Sequence, residues 1–102
     1  MLKKYEEVLD FINNYNTGNF VYPSVIKRRF GIDGLITYNI LETFVEKGVL
    51  QRVYQLQCVD CGYINEIIYD SLNQIEEDDL ICHRCRCDLH ILKCTIMFYK
   101  KK

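Results

Sequence analysis

Two Cys-x-x-Cys pairs constrain this 102-residue chain more than any other feature: Cys58-Val59-Asp60-Cys61 and Cys82-His83-Arg84-Cys85, separated by the twenty residues Gly62 to Ile81. Two residues between thiolates let one tight turn aim both sulfurs at a single ion, and two such turns close a tetrahedron with bonds of about 2.3 Å. The separation lies at the upper end of the spacing expected for a four-cysteine zinc site. Gly62, directly after the first pair, suits a sharp turn whose N–H groups approach the sulfurs. The second pair is less regular, because Arg86 stands where a glycine would be convenient and Cys87 follows at once. The ligand set read from the spacing is Cys58, Cys61, Cys82 and Cys85 around one structural Zn2+, with Cys87 an alternative fourth ligand.

Other uses of six cysteines fit less well. A disulfide framework belongs to short secreted chains, whereas Met1-Leu2-Lys3-Lys4 does not read as a secretory leader. No run approaches the ~18 apolar residues of a membrane span, so the expectation is a cytoplasmic protein without membrane contact. A redox Cys-x-x-Cys normally occurs singly at the start of a helix after a strand; here two pairs sit in polar turns. Cys94 falls in an alternating apolar run and reads as a core thiol.

A chain of this length forms one compact unit or two very small ones, and half of it needs a staple to fold. Zinc is the expected staple. Nothing is repeated or of low complexity. The net charge is −1, from 13 Lys and Arg against 14 Asp and Glu. Divided at Cys58, the sequence carries seven basic and six acidic residues before that point, six and eight from it onward. Neither half shows the basic field that dominates non-specific DNA affinity.

Leu2, Tyr5, Val8, Leu9 and Ile12 recur with a 3.6-residue period and predict an amphipathic helix from Leu2 to Tyr15. Asn and Gly residues stop it, and Phe20-Val21-Tyr22 is a short β-like run. Pro23 and Ser24 open a second helix, since proline in the first turn forfeits no helical hydrogen bond; it stops at Gly31. Asp33 is the expected N-cap of a third helix, Leu35 to Lys47, with Gly48 just past its end. Val49 to Gln57 is a strand. Beyond the first cysteine pair a strand is expected over Tyr63 to Tyr69, a turn capped by Asp70-Ser71, a loop over the acidic run Glu76 to Asp79, and a last strand from His90 to Tyr99. Lys100-Lys101-Lys102 reads as a frayed, solubilising tail.

The order helix, short strand, helix, four-residue turn, helix, Gly-Val-Leu, strand resembles the winged helix-turn-helix superfamily. Gly31-Ile32-Asp33, then Ile40-Leu41, Phe44-Val45 and Glu46-Lys47-Gly48-Val49-Leu50, carry the resemblance as turn, recognition helix and wing entry. It covers residues 2–57 and implies an α+β fold: a winged helix-turn-helix at 1–57, joined without linker to a zinc ribbon at 58–102 that continues from the wing or is inserted at its tip. In the second case the final strand pairs with residues 50–55 and completes the wing. The layout is similar to the large subunit of general transcription factor E.

Two function classes follow. The resemblance implies DNA binding or transcriptional regulation, with the exposed face of the third helix (Leu35, Tyr38, Asn39, Glu42, Thr43) toward bases and Lys27, Arg28, Arg29, Lys47 and Arg52 toward phosphates. The alternative is a non-catalytic protein adaptor in a larger assembly, such as a bacterial multi-gene system. Near-neutral charge, an acidic loop and tyrosines 38, 54, 63 and 69, if exposed, favour that class. An enzyme is not expected, and neither is a small-molecule substrate: two histidines, two serines and no Gly-rich phosphate loop are present, and zinc held by four cysteines has no open position for water. His83 reads as solvated or hydrogen-bonded behind the ligands.

Overall fold

Backbone chemistry at two helix ends sets the layout of the N-terminal half. In the computed structural model, which describes residues 2–102, α1 spans Leu2–Asn13, α2 Pro23–Phe30 and α3 Gly34–Glu46. Met1 and the side chain of Leu2, placed by the periodicity on the apolar face of α1, lie outside the described residues. Gly31 ends α2 with a left-handed φ of 61°, and Ile32 N–H reaches back to the Lys27 carbonyl at 3.3 Å. Asp33 then caps α3, its Oδ1 accepting the Ile36 N–H at 2.8 Å. At the far end Gly48 (φ 78°) lets Val49 N–H bond the Phe44 carbonyl and its own N–H bond that of Val45. Carbonyls that would otherwise lack partners are thereby satisfied.

The chain divides into two units, Met1–Gln51 with Phe98–Lys102, and Arg52–Met97. In the first, Val8 and Ile12 of α1, Ile26 of α2 and Ile40, Leu41 and Phe44 of α3 are buried. So is Thr37, whose hydroxyl donates to the Asp33 carbonyl at 2.7 Å and so needs no water. Phe20 and Phe98 meet edge to face at 5.5 Å, and Tyr22 stacks on Phe98 at 5.1 Å.

Strands β1 (Phe20–Val21), β2 (Leu50–Leu56) and β3 (Thr95–Lys101) form a three-stranded sheet ordered β1-β3-β2. β1 pairs with β3 antiparallel, Phe20 opposite Lys100 and Val21 opposite Tyr99. The division falls within β2 and β3, so both strands pass from one unit to the other, and Arg52–Met97 is an insertion in the chain of the first unit. The fold is therefore mixed α+β, with a sheet whose middle strand is the last in sequence.

Three expectations are corrected. Residues 63–69 are not a continuous strand: their backbone pairs with the chain of β2 and the residue after it at isolated antiparallel bridges, Gln57 with Ile64 and Tyr54 with Tyr69. Three residues advance on β2 between those bridges while five advance on the other side. No ladder survives that mismatch. The stretch read as a ten-residue strand begins as a helical turn, α4 (Ile91–Cys94), in which Cys94 N–H bonds the His90 carbonyl at 2.8 Å and the Thr95 hydroxyl bonds that of Ile91 at 2.6 Å. Alternation failed there because Leu92 is 86% exposed, so its apolar character carries no information about a buried face. Finally, the lysine tail is no frayed end. Gly18 N–H donates to Lys101 C=O and Lys101 N–H to Asn19 C=O, both at 2.8 Å, and Lys102 N–H reaches Val49 C=O at 3.0 Å.

Replacing Asp33 with alanine removes the only side-chain cap on α3 and is expected to lower unfolding free energy by about 1 kcal/mol. Urea denaturation of the two proteins measures the difference; an unchanged midpoint contradicts it.

Candidate metal centre

The second unit is built from one ten-residue arm used twice. In the first arm, residues 56–65, Cys58 N–H bonds Tyr63 C=O (2.9 Å), Gly62 N–H bonds Cys58 C=O (2.8 Å) and Asn65 N–H bonds Leu56 C=O (2.9 Å). In the second, residues 80–89, the same bonds recur 24 positions later: Cys82 to Cys87 (2.9 Å), Arg86 to Cys82 (3.1 Å) and Leu89 to Leu80 (3.0 Å). The bridge Gln57 with Ile64 has its counterpart in Ile81 with Asp88. Both arms turn through a left-handed residue after the second cysteine, Gly62 at φ 79° and Arg86 at φ 67°. The sequence conceals this repeat, because only Leu56/Leu80, Cys58/Cys82 and Cys61/Cys85 are identical between the arms.

Each arm delivers two sulfurs. Those of Cys58, Cys61, Cys82 and Cys85 all lie within 4.8 Å of one another, with Cys58 3.6 Å from Cys85 and Cys61 3.5 Å from Cys82. A tetrahedron with 2.3 Å metal–sulfur bonds has edges of about 3.8 Å, so the four thiols fit one metal ion. Cys58 and Cys82 are buried, whereas Cys61 and Cys85 lie at the surface. The fourth member is Cys85. Cys87, offered as an alternative, occupies the position of Tyr63 in the other arm and stays outside the group, as does the buried Cys94.

The electrostatics of the thiols follow from their donors. Backbone N–H groups of Cys85 and Arg84, each 3.4 Å from Cys82 Sγ, pull that thiol down to about 6. Cys61 and Cys85 receive N–H groups from Tyr63 and Cys87, yet desolvation and the adjacent thiols outweigh them and raise both to about 11. Four sulfurs at this spacing do not ionise together unless a cation sits among them.

Asn65 locks the arms to each other. Its N–H and C=O are held by Leu56 C=O and the Gln55 side chain, while Nδ2 donates to Ile81 C=O at 2.9 Å and Oδ1 accepts His83 N–H at 3.0 Å. Its backbone and side-chain polar groups are all bonded at 3% exposure, the side chain to the two residues flanking Cys82. Sequence reading passed over Asn65; the available signal was an asparagine inside an apparent strand, where that residue is depleted. His83 is not a ligand: its Nδ1 lies 2.7 Å from Glu66 Oε2, and this hydrogen bond holds the Glu66 carboxyl below the usual range.

Around the sulfurs, Leu56, Tyr69, Leu89 and Cys94 form a small core with Tyr54, Tyr63, Ile75 and Leu80 packed against it. Tyr69, expected at the surface, is buried, and Tyr54 and Tyr63 are half-buried. Burial raises the Tyr69 hydroxyl to about 12, with help from the negative charge of Asp79. The acidic run is accordingly no open loop: Asp79 also accepts the Glu76 N–H at 2.9 Å, closing a 3-10 turn over Glu77–Asp79.

The residues expected to face nucleic acid are only partly brought together. Lys27 and Tyr38 line one cleft of 220 Å³ with Pro23, Ser24, Gly34 and Thr37. Arg28, Asn39 and Lys47 are exposed. Arg29 instead lies over the Phe11 ring at 4.4 Å, the Thr43 hydroxyl is committed to the Asn39 carbonyl at 2.8 Å, and Glu42 accepts the hydroxyl of the buried Tyr99 at 2.7 Å. Arg52 belongs to the other unit.

Comparison with known proteins gives no match: no family model, no curated protein and no solved structure matches this chain. What geometry defines is a chain with a four-cysteine cluster able to hold a metal ion. No helix among the described residues is long and apolar enough to cross a membrane.

Two predictions follow from the site. Protein purified without chelator carries one metal ion per chain by elemental analysis, Cys58→Ser and Cys82→Ser lose it, and Cys94→Ser keeps it; metal in the first two contradicts the ligand assignment. Glycine substitution should act oppositely in the two arms. Gly62→Ala forces a Cβ into left-handed backbone and destabilises by about 1 kcal/mol, whereas Arg86→Gly relieves the same strain and is neutral to stabilising by up to about 1 kcal/mol. Thermal unfolding of the metal-loaded proteins reads both signs.

Proposed function

We propose that this protein binds DNA through its first unit, a winged helix-turn-helix, and that its second unit is a zinc ribbon held by one structural zinc ion. The observation that carries the reading is the distribution of charge between the units. The first unit holds nine Lys and Arg against six Asp and Glu, a net +3; the second holds four against eight, a net −4. Division at Cys58 hides this asymmetry, because the three terminal lysines return to the first unit. A basic unit of this size suits a phosphate backbone.

On this reading α3 enters the major groove and presents Tyr38 and Asn39, the asparagine able to pair with adenine N6 and N7. Lys27 and Arg28 take phosphates, with Lys101 at the end of β3 and the adjacent Lys102 adding charge. Thr43 contributes at most its methyl group, and Glu42 and Arg29 serve the fold. Four thiolates favour zinc over harder cations and leave it no position for substrate, so the metal acts through structure.

A second reading rests on a different observation. The acidic unit exposes Val59 (66%), Ile67 (45%), Ile68 (37%) and Leu72 (46%), which favours a protein partner there and an adaptor role.

Fluorescence anisotropy with a random-sequence duplex at low salt tests the first reading. Expected is salt-sensitive binding in the micromolar range or weaker, and a log–log salt slope reduced by about 2 in Lys27→Ala/Arg28→Ala. Absence of binding at every salt concentration overturns it in favour of the adaptor.

A further inference from the structure

Negative charge in the second unit is concentrated rather than spread. Residues 62–82 include six acidic side chains and no Lys or Arg, whereas the remainder of Arg52–Met97 holds four basic residues against two acidic ones. The exposed apolar side chains divide along the same line. Val59 and Leu92 lie outside the acidic stretch, while Ile64, Ile67, Ile68 and Leu72 lie within it, inside nine residues of chain.

Local structure turns the two central isoleucines outward and fixes the backbone on either side of them. Adjacent residues of a strand point to opposite faces. Ile67 and Ile68 are nevertheless both exposed, because the two-residue mismatch against β2 leaves no ladder between the bridges at Ile64 and Tyr69 for side chains to alternate across. Before the pair, Asn65 is bonded to Leu56, Ile81 and His83, and the Glu66 carboxylate meets His83 Nδ1 at 2.7 Å. After it, Tyr69 exchanges both backbone bonds with Tyr54, at 2.8 and 2.9 Å. Leu72 stands on the next turn, which the Gln74 side chain closes by accepting Asp70 N–H at 2.9 Å. Apolar side chains held in place before a partner arrives forfeit little ordering entropy on binding.

We propose that residues 64–72 form a docking surface for a protein segment whose own apolar side chains are flanked by Lys or Arg; this rests on the reading that the acidic unit meets a protein partner. Charge selects that occupant. A phosphate backbone, an anionic lipid surface or an acidic protein is repelled by six carboxylates with no Lys or Arg among them. A cationic segment with an apolar centre satisfies both the isoleucines and the charge around them.

The test pans a phage-displayed library of random linear peptides against the full chain as purified, then measures the enriched peptides by fluorescence anisotropy. Expected are sequences in which Ile, Leu, Val or Phe are flanked by Lys or Arg. Their affinity should fall on the order of tenfold in Ile67→Ser/Ile68→Ser, and less steeply in Glu66→Lys, which places a like charge beside the pair. Both variants alter exposed side chains and should keep the circular dichroism spectrum and unfolding midpoint of wild type. Enriched peptides without an excess of Lys and Arg, or peptides that bind the double variant as tightly as wild type, overturn the surface assigned here and leave a protein partner elsewhere on the unit. No enrichment at all overturns the adaptor reading with it. Self-association of wild type that the double variant abolishes, measured by sedimentation equilibrium, overturns the proposal by giving this face to a second copy.

Discussion

Convergence of four sulfurs within 4.8 Å is the constraint on which the second unit depends. Its apolar core is small, six buried residues of which three are cysteines. A core of that size contributes only a few kcal/mol against the entropy of ordering the chain. Structural zinc sites supply about 10 kcal/mol or more, enough to decide whether such a unit folds. The arms are shaped for the purpose: in each, one left-handed residue closes the turn and an N–H bond to the first cysteine carbonyl fixes it. Asn65 then sets one arm against the other by bonding both residues that flank Cys82.

Most of the helical layout was legible because local chemistry decides it. Pro23, Gly31, Asp33 and Gly48 act within four residues of themselves, and each does what its side chain, or lack of one, dictates. The four-cysteine cluster was legible for the same reason. What escaped was non-local. Whether residues 63–69 form a ladder depends on a two-residue mismatch against β2, which no periodicity within that segment reports. The repeat of arms resides in backbone hydrogen bonds that Tyr63 and Cys87 both support, and that Arg86 supports as Gly62 does, though in left-handed backbone that strains a side chain. Identity of side chains was the wrong signal to seek there.

Exposure was misjudged wherever a polar side chain had a hidden partner. Glu42 and Thr43 sit on the outward-facing positions of α3 by sequence spacing, yet one holds the hydroxyl of Tyr99 and the other its own helix backbone. The lysine tail erred the other way: three charges at a terminus suggest fraying, but backbone groups of Asn19, Gly18 and Val49 offered partners, and β3 runs on through them. Charged side chains do not prevent a strand when their carbons pack and their ammonium groups reach water.

Metal loading and charge are linked in a way that bears on both readings of function. Four thiolates around a divalent ion carry a net −2, so loading takes the second unit from −4, with its thiols protonated, to about −6. Phosphates are repelled most strongly by the folded, loaded form. On the first reading a duplex would meet the +3 unit, and on the second a positively charged protein partner would meet the acidic one. With four thiolates around a divalent ion the second unit is at its most acidic, and with the thiols protonated and no ion it carries two fewer negative charges.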